Sequence, residues 1–370
     1  MGAAGMTPLA WLGAPAPGGL ALPDAKPTPG QMYGPRGVWL DDRCLIVADS
    51  GNHRVMIWHT VPDRDHQPAD VVLGQPDFTT EGPKAGGRGP ENGFSLPTGV
   101  AVIEGRLVVA DSWHHRLLVW DRVPDRTDAP PDAVVGQNGF AAIETNRGGA
   151  ISATGFYWPY GLGAAHGWFW VTDTGNRRVL GWHGFPTDGR PADVILGQDA
   201  PNTGGENRGG PVSARSFRWP HAVAATDDLL LVADAGNHRV LGWRFPVTDR
   251  AADVVLGQPA FDTNREWPHG KQGPAAFRFP YSLATRAGEL IVADTANNRL
   301  LLWRSVPAHG AGHPADAVIG QPGFDTNGEN HWTAVTAGSL CWPYGVCRHG
   351  NRLAVADSGN NRVMIWDVGS

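Results

Sequence analysis

The sequence predicts an all-β fold, a six-bladed β-propeller with four antiparallel strands per blade, and three observations carry that prediction. The segment VADSGNHRVMIW at 47–58 recurs as VADSWHHRLLVW at 109–120, VTDTGNRRVLGW at 171–182, VADAGNHRVLGW at 232–243, VADTANNRLLLW at 292–303 and VADSGNNRVMIW at 355–366. Its anchoring residues Asp49, Asp111, Asp173, Asp234, Asp294 and Asp357 are 62, 62, 61, 60 and 63 residues apart, a fixed period that marks a repeat architecture. Each repeat holds four strand-like segments, which matches radial stacking of four-stranded sheets around a central channel.

The elements follow in order within each repeat. A proline opens the first strand in GPRGVWL at 34, LPTGVAV at 96, WPYGLGA at 158, WPHAVAA at 219, FPYSLAT at 279 and WPYGVCR at 342. Proline suits a strand's first position, where no ladder donor is lost. The distance from that proline to the anchoring aspartate is 14 residues in all six copies, so the first two strands are locked in length. The aspartate begins a turn, and RVMIW and its counterparts form the third strand of a hairpin. A fourth strand ends in Gly-Gln: DVVLGQ at 70–75, DAVVGQ at 132–137, DVILGQ at 193–198, DVVLGQ at 253–258 and DAVIGQ at 316–321. The loop from Gln to the next Pro is 22 residues in all five copies, while the third-to-fourth-strand connection varies and reads as the free edge of each blade. Strand alternation puts the long loops and the aspartate turns on one face and the variable turns on the other.

The last repeat ends without a fourth strand. LAWLGAP at 9–15 aligns with DVVLGQP, so residues 8–14 are expected to supply the outer strand of the last blade and close the ring without an open sheet edge. One domain is expected, with blades at about 35–76, 97–138, 159–199, 220–259, 280–322 and 343–370 plus 8–14.

A formal charge of −6 and a pI near 6.1 give no bulk attraction to nucleic acid or to acidic membranes. The three cysteines, Cys44, Cys341 and Cys347, form no disulfide framework and point to a reducing compartment. The N-terminal MGAAGMTPLAWLGAPAPGG lacks a basic segment and an unbroken apolar run, so it reads as no signal peptide, and no stretch reaches membrane-spanning length. A cytoplasmic protein without a membrane segment is expected.

The Pro-x-Gly-Val strand followed by VADSGNHRV resembles the NHL repeat family, over about 355 of the 370 residues. The resemblance implies a bacterial multi-repeat six-bladed propeller. Proteins of this kind include multi-repeat proteins of unassigned role, protein- and RNA-binding modules and an amidating lyase, so function has to come from the site. In that lyase several channel histidines hold the metal, whereas the equivalent ring here offers only His221. Lactonase-type propellers hold calcium at the axis with Glu, Asn and Asp. The long loops here carry Glu81, Glu144, Glu206, Glu266 and Glu329, which do not match those motifs and read as solvated turn carboxylates. No cofactor is expected, with an axial calcium or zinc ion left open.

The Asp/Arg pairs, such as Asp49/Arg54 and Asp173/Arg178, read as structural partners across each turn. Trp58, Trp120, Trp182, Trp243, Trp303 and Trp366 read as packing between blades. His53, His115 and His238 share a turn position with Arg177, Asn298 and Asn361 and read as surface variation. The residues after the strand-opening prolines, Arg36, Thr98, Tyr160, His221, Tyr281 and Tyr344, differ between blades and converge on the channel mouth. They would form an amphipathic cup for a ligand, with Arg36 facing any negative group, or a plug filling the axis. Trp113, Trp267 and Trp332 are candidate anchors for a partner on the long-loop face. No nucleophile or metal-ligand motif converges, so the chain reads as a binding scaffold for a protein, peptide or small ligand on that face. The alternative is a metal-dependent lyase or lactonase-type hydrolase with its site at the channel mouth.

Overall fold

The computed structural model describes residues 6–13, 26–187 and 189–369. Ala14, the expected end of the N-terminal strand, Ser370 and most of the stretch weighed as a leader lie outside the described residues. Six sheets are arranged as blades, five of them four-stranded and one five-stranded. In blade 3, Pro159–Ala165, Trp168–Asp173, Arg178–His183 and Val194–Leu196 pair in sequence order, each antiparallel to the next. The other blades repeat this order.

The ring closes through the chain's first strand. Thr7–Gly13 pairs antiparallel with Arg362–Asp367, so the last blade runs, from its outer edge inward, through that N-terminal strand to Arg362–Asp367, Arg352–Asp357 and Pro343–His349. Ala10 and Leu12 are buried by this pairing, packed with Trp58, Met56 and Ile365.

The core is divided. Six hydrophobic clusters each join one blade to the next, as in the cluster of Val171, Leu180 and Trp182 from blade 3 with Ala101, Val108 and Val119 from blade 2. The repeated tryptophans sit in these seams, and Trp58, Trp120, Trp182, Trp243 and Trp366 each donate their indole hydrogen to a loop carbonyl.

Each hairpin turn is one turn of 3-10 helix, as at Thr174–Asn176, closed by a residue in the left-handed region, as at Arg177 with φ 55. All six aspartates and their arginines are fully buried. Asp173 accepts hydrogen bonds from the Tyr157 amide, Asn176 Nδ2 and Arg178 Nε. The Arg178 guanidinium then donates to the carbonyls of Ser152, Gly155 and Pro201, tying the loop before the blade to the loop after it. A buried charge is tolerable only when paired and hydrogen-bonded throughout, and here it is.

The Gly-Gln signature has a second role in the same region. Gly136 has φ 89, and a Cβ there would lie 2.1 Å from Cδ2 of Phe156, so only glycine lets the loop aromatic seat. Gln137 Nε2 donates to the carbonyls of His114 and Glu144, stapling turn to loop.

Two expectations need correction. The turn histidines are not surface variation: His238 is buried, and the Nδ1 atoms of His53, His115 and His238 accept the amide hydrogens of Leu96, Trp158 and Phe279 in the following blade. Asn298 and Asn361 do the same through Oδ1 for Trp342 and Gly34. A small left-handed residue with a side-chain acceptor is what the position needs, and both His and Asn meet it. The variable third-to-fourth-strand connections are not free edges either. Those of blades 1, 2 and 5 lie against the outer strand of the preceding blade: His66 and Asp128 donate their amide hydrogens to the carbonyls of Trp11 and Val72, and Gly310–Ala311 adds a short parallel strand beside Val254–Leu256.

Candidate functional site

The first strands of all six blades line the axis. In blades 2 to 6 their pairing with the second strand slips directly after the proline: Pro159 opposes Asp173, but Leu162 opposes Val171. Such a bulge re-aims the inserted side chain, and here it turns the residue after the proline toward the axis. The next position must be small because neighbouring first strands nearly touch. A Cβ on Gly37 would fall 1.8 Å from the Thr98 carbonyl oxygen, and one on Gly161 would fall 2.4 Å from that of His221.

Five of the six post-proline side chains meet. Tyr160 and His221 have ring centroids 4.4 Å apart, His221 and Tyr281 4.3 Å, and Tyr281 and Tyr344 4.8 Å in a stacked pair. The Arg36 guanidinium lies 4.9 Å from the Tyr344 ring centroid. Thr98 stays in the wall, its hydroxyl paired with Ser112 and the Tyr160 carbonyl. The large side chains thus form a plug across the axis at the long-loop end.

The plug's chemistry is unusual for a buried cluster. Burial pushes the His221 pKa down to about 3, and Nδ1 lies 2.9 Å from the Trp219 carbonyl, so the ring is neutral with its hydrogen on Nδ1. Burial pushes the Tyr160 phenol up to about 12 and raises Tyr281 and Tyr344 as well, so all three remain protonated. The Tyr160 phenol beside Arg36 raises the pKa of the guanidinium, against the opposing effect of burial, so Arg36 stays charged. Tyr160 is only 5% exposed, and its hydroxyl makes no well-formed hydrogen bond, to Arg36 or to any other described residue. Arg36 is nonetheless the cation nearest that neutral phenol and works against the effect of burial on it.

From the plug a cavity of about 310 Å³ runs along the axis to the ends of the first strands at Ala165, Ala225 and His349. Its walls include a ring of apolar side chains, Val38, Val100, Leu162, Val223, Leu283 and Val346, one from each blade. A second cleft of about 350 Å³ shares Trp39, Leu162 and Ala164 with it and opens between blades 2 and 3 beside Trp168 and Phe185. The apolar ring went unread in the sequence, although its signal was there: an aliphatic residue three positions after every strand-opening proline.

On the long-loop face Trp113, Trp267 and Trp332 are 55%, 46% and 77% exposed. Trp113 packs edge-on against Trp158, and Arg278 lies over Trp267, while no ring contact joins the three anchors to one another among the described residues. Tyr33, Tyr157 and Trp342 are exposed on the same face. The loop glutamates divide between solvent and ion pairs, Glu206 with Arg218 and Glu266 with Arg278. Among the described residues no three of His, Cys, Asp and Glu are grouped to hold a metal ion.

A family model described as NHL repeat matches residues 94–120 and 217–243, each spanning a hairpin of the repeat. The chain is an NHL-repeat β-propeller. This NHL propeller is similar to an auxiliary nutrient binding protein from Bacteroides thetaiotaomicron over 98% of this chain and 75% of that one, with a TM-score of 0.56 and 11% identity. It is also similar to a protein of unknown function from the same organism, over 98% and 75%, with a TM-score of 0.50 and 12% identity. A streptogramin B lyase aligns over 92% and 95%, with a TM-score of 0.49 and 12% identity. At these identities the likeness of the NHL propeller to solved structures concerns the fold alone. No curated protein matches it in sequence. No helix among its described residues is long and apolar enough to cross a membrane.

Proposed function

We propose that this NHL propeller is a binding scaffold that holds a small ligand in its axial cavity, against Arg36, Tyr160, His221, Tyr281 and Tyr344. The observation that carries the reading is the axial cavity of about 310 Å³, large enough for a small molecule and lined by the Arg36 guanidinium, three tyrosines and His221. The neutral His221 and the protonated tyrosines supply both acceptors and donors around it. Metal-dependent lyase or lactonase chemistry has less support, since the plug holds a single imidazole and no three of His, Cys, Asp and Glu are grouped around it among the described residues. Three free cysteines support a reducing, cytoplasmic setting.

The test is a ligand-bound structure or a hydrogen-exchange protection map after screening small metabolites. Protection at the strand starts 159–162, 220–223, 280–283 and 343–346 is expected. A ligand bound among the variable turns near 61–68 and 306–314 would overturn the reading.

A second reading rests on a separate observation, the exposed aromatics of the long-loop face. Trp113, Trp267 and Trp332 would anchor a protein or peptide partner there. Mutating all three to alanine should abolish any such complex while leaving the axial site intact.

A further inference from the structure

We propose that the axial cavity takes an organic monocarboxylate, its carboxylate seated on the Arg36 guanidinium and its apolar body lying along the ring of aliphatic side chains below. This rests on the reading of the axial cavity as the ligand site.

Charge decides the class. The described residues that line the cavity include Arg36 and Arg348 and no Asp or Glu, in a chain whose formal charge is −6. Six other arginines, those of the hairpins, are buried against aspartates, whereas Arg36 forms no ion pair among the described residues. Its neighbours are the face of Tyr344 and the phenol of Tyr160. A planar guanidinium without a carboxylate keeps a fork of N–H donors that matches a carboxylate's two oxygens. The Tyr160 hydroxyl lies beside that guanidinium and makes no hydrogen bond of good geometry, so its hydrogen can turn to the same anion.

Charge number and shape narrow the class. One guanidinium at the plug balances one negative charge. Arg348, at the far end, already donates to the carbonyls of Gly350 and Gly369, so a second charge on the ligand would find no free fork. Between the two ends each blade presents one aliphatic side chain among backbone and small polar groups and no Asp or Glu lines the wall, which favours an apolar body over a second acid. A volume of about 310 Å³ sits at the small end of ligand cavities and suits a short chain or a single ring.

The experiment is isothermal titration and thermal shift of the full chain with butyrate, hexanoate and phenylacetate, each beside its primary amide. At least one acid should bind saturably with a Kd of about 1 mM or tighter, and its amide about 10-fold or more weakly. Arg36→Met should weaken the acid by about 10- to 100-fold and leave the amide unchanged. Tyr160→Phe, which keeps the ring, serves where Arg36→Met does not fold, and should weaken the acid by about 3- to 10-fold. Acid and amide binding equally, or no acid binding at all, overturns the carboxylate inference. The cavity-filling variant Ala224→Trp separates the two readings. Equal binding of acid and amide that Ala224→Trp abolishes removes only the carboxylate, whereas acid binding that survives Ala224→Trp removes the axial site itself.

Discussion

The imidazole of His115, in the turn of blade 2, accepts the amide hydrogen of Trp158 at the entry to blade 3, with 3.1 Å between Nδ1 and N. An imidazole can accept at Nδ1 only when that nitrogen is unprotonated, so the contact between blades depends on pH. Burial is the main cause that lowers the pKa of His53, His115 and His238; around His115 the nearby His114 lowers it further, while Asp111 and Glu144 oppose. A folded pKa below the unfolded value of about 6.5 means that the unfolded chain binds more protons in acid. The stabilisation is therefore present above about pH 6.5 and is lost as pH falls toward the lowered folded values. Calorimetric melting from about pH 8 to about pH 5 should show this loss, and the triple variant His53→Asn, His115→Asn, His238→Asn should flatten it. Asparagine already fills the same position at 298 and 361, so the contact itself should survive. An unchanged pH slope in the triple variant would refute the role given to the histidines.

Asp173→Ala should cost about 3–5 kcal/mol of stability, because it leaves the buried Arg178 without its counter-ion. Urea unfolding checks the size of the loss. Ligand affinity of the folded protein should not change, and a variant of normal stability that no longer binds would reverse the assignment.

Removing residues 1–13 should expose the paired edge of Arg362–Asp367 and uncover the core that Ala10 and Leu12 fill. Size-exclusion chromatography should show aggregation, or calorimetry a broadened, uncooperative transition. A truncated chain that melts like the full one is the contrary result.

Gly136→Ala should destabilise by about 2 kcal/mol or more, from the left-handed backbone together with the clash against Phe156. Gly139, three residues on, has open space around its Cβ position, and Gly139→Ala should change stability by less than about 0.5 kcal/mol. Comparable melting of the two variants would contradict the seat described for Phe156.

The blades were legible because their constraints recur. The strand-opening prolines and the Asp/Arg pairs appear in all six blades and the Gly-Gln ends in five, and each proved to be a buried contact. The latch at His53, His115, His238, Asn298 and Asn361 was harder to read. What is constant there is a side-chain acceptor on a left-handed residue, and two residue types supply it. The convergence of the post-proline side chains was legible in membership but not in form. That Tyr160, His221, Tyr281 and Tyr344 would share the axis followed from their register, whereas their packing into a plug depends on a bulge that no residue type marks.

The contacts between blades are not all of one kind. Four boundaries carry two side-chain ties each, one from the turn acceptor and one from a Ser or Thr hydroxyl to the next blade's proline carbonyl, as with Asn298 and Thr295 at blades 5 and 6. Around blade 4 other hydroxyls make up the number: Thr174 reaches Pro220 and Thr172 the His221 carbonyl, while Arg177 leaves the Trp219 amide to Asp234 of its own blade; beyond it His238 reaches Phe279 and Thr285 the Ala225 carbonyl, where Ala235 has no hydroxyl to offer. The rims of blades 1 and 6 take a single amide from the following connection, at Val72 and Trp11, whereas the rim of blade 4 gains the added strand Gly310–Ala311. The blade that brings His221 between Tyr160 and Tyr281 is therefore held at its rim and on both flanks, a fixed post against which the aromatic stack leans.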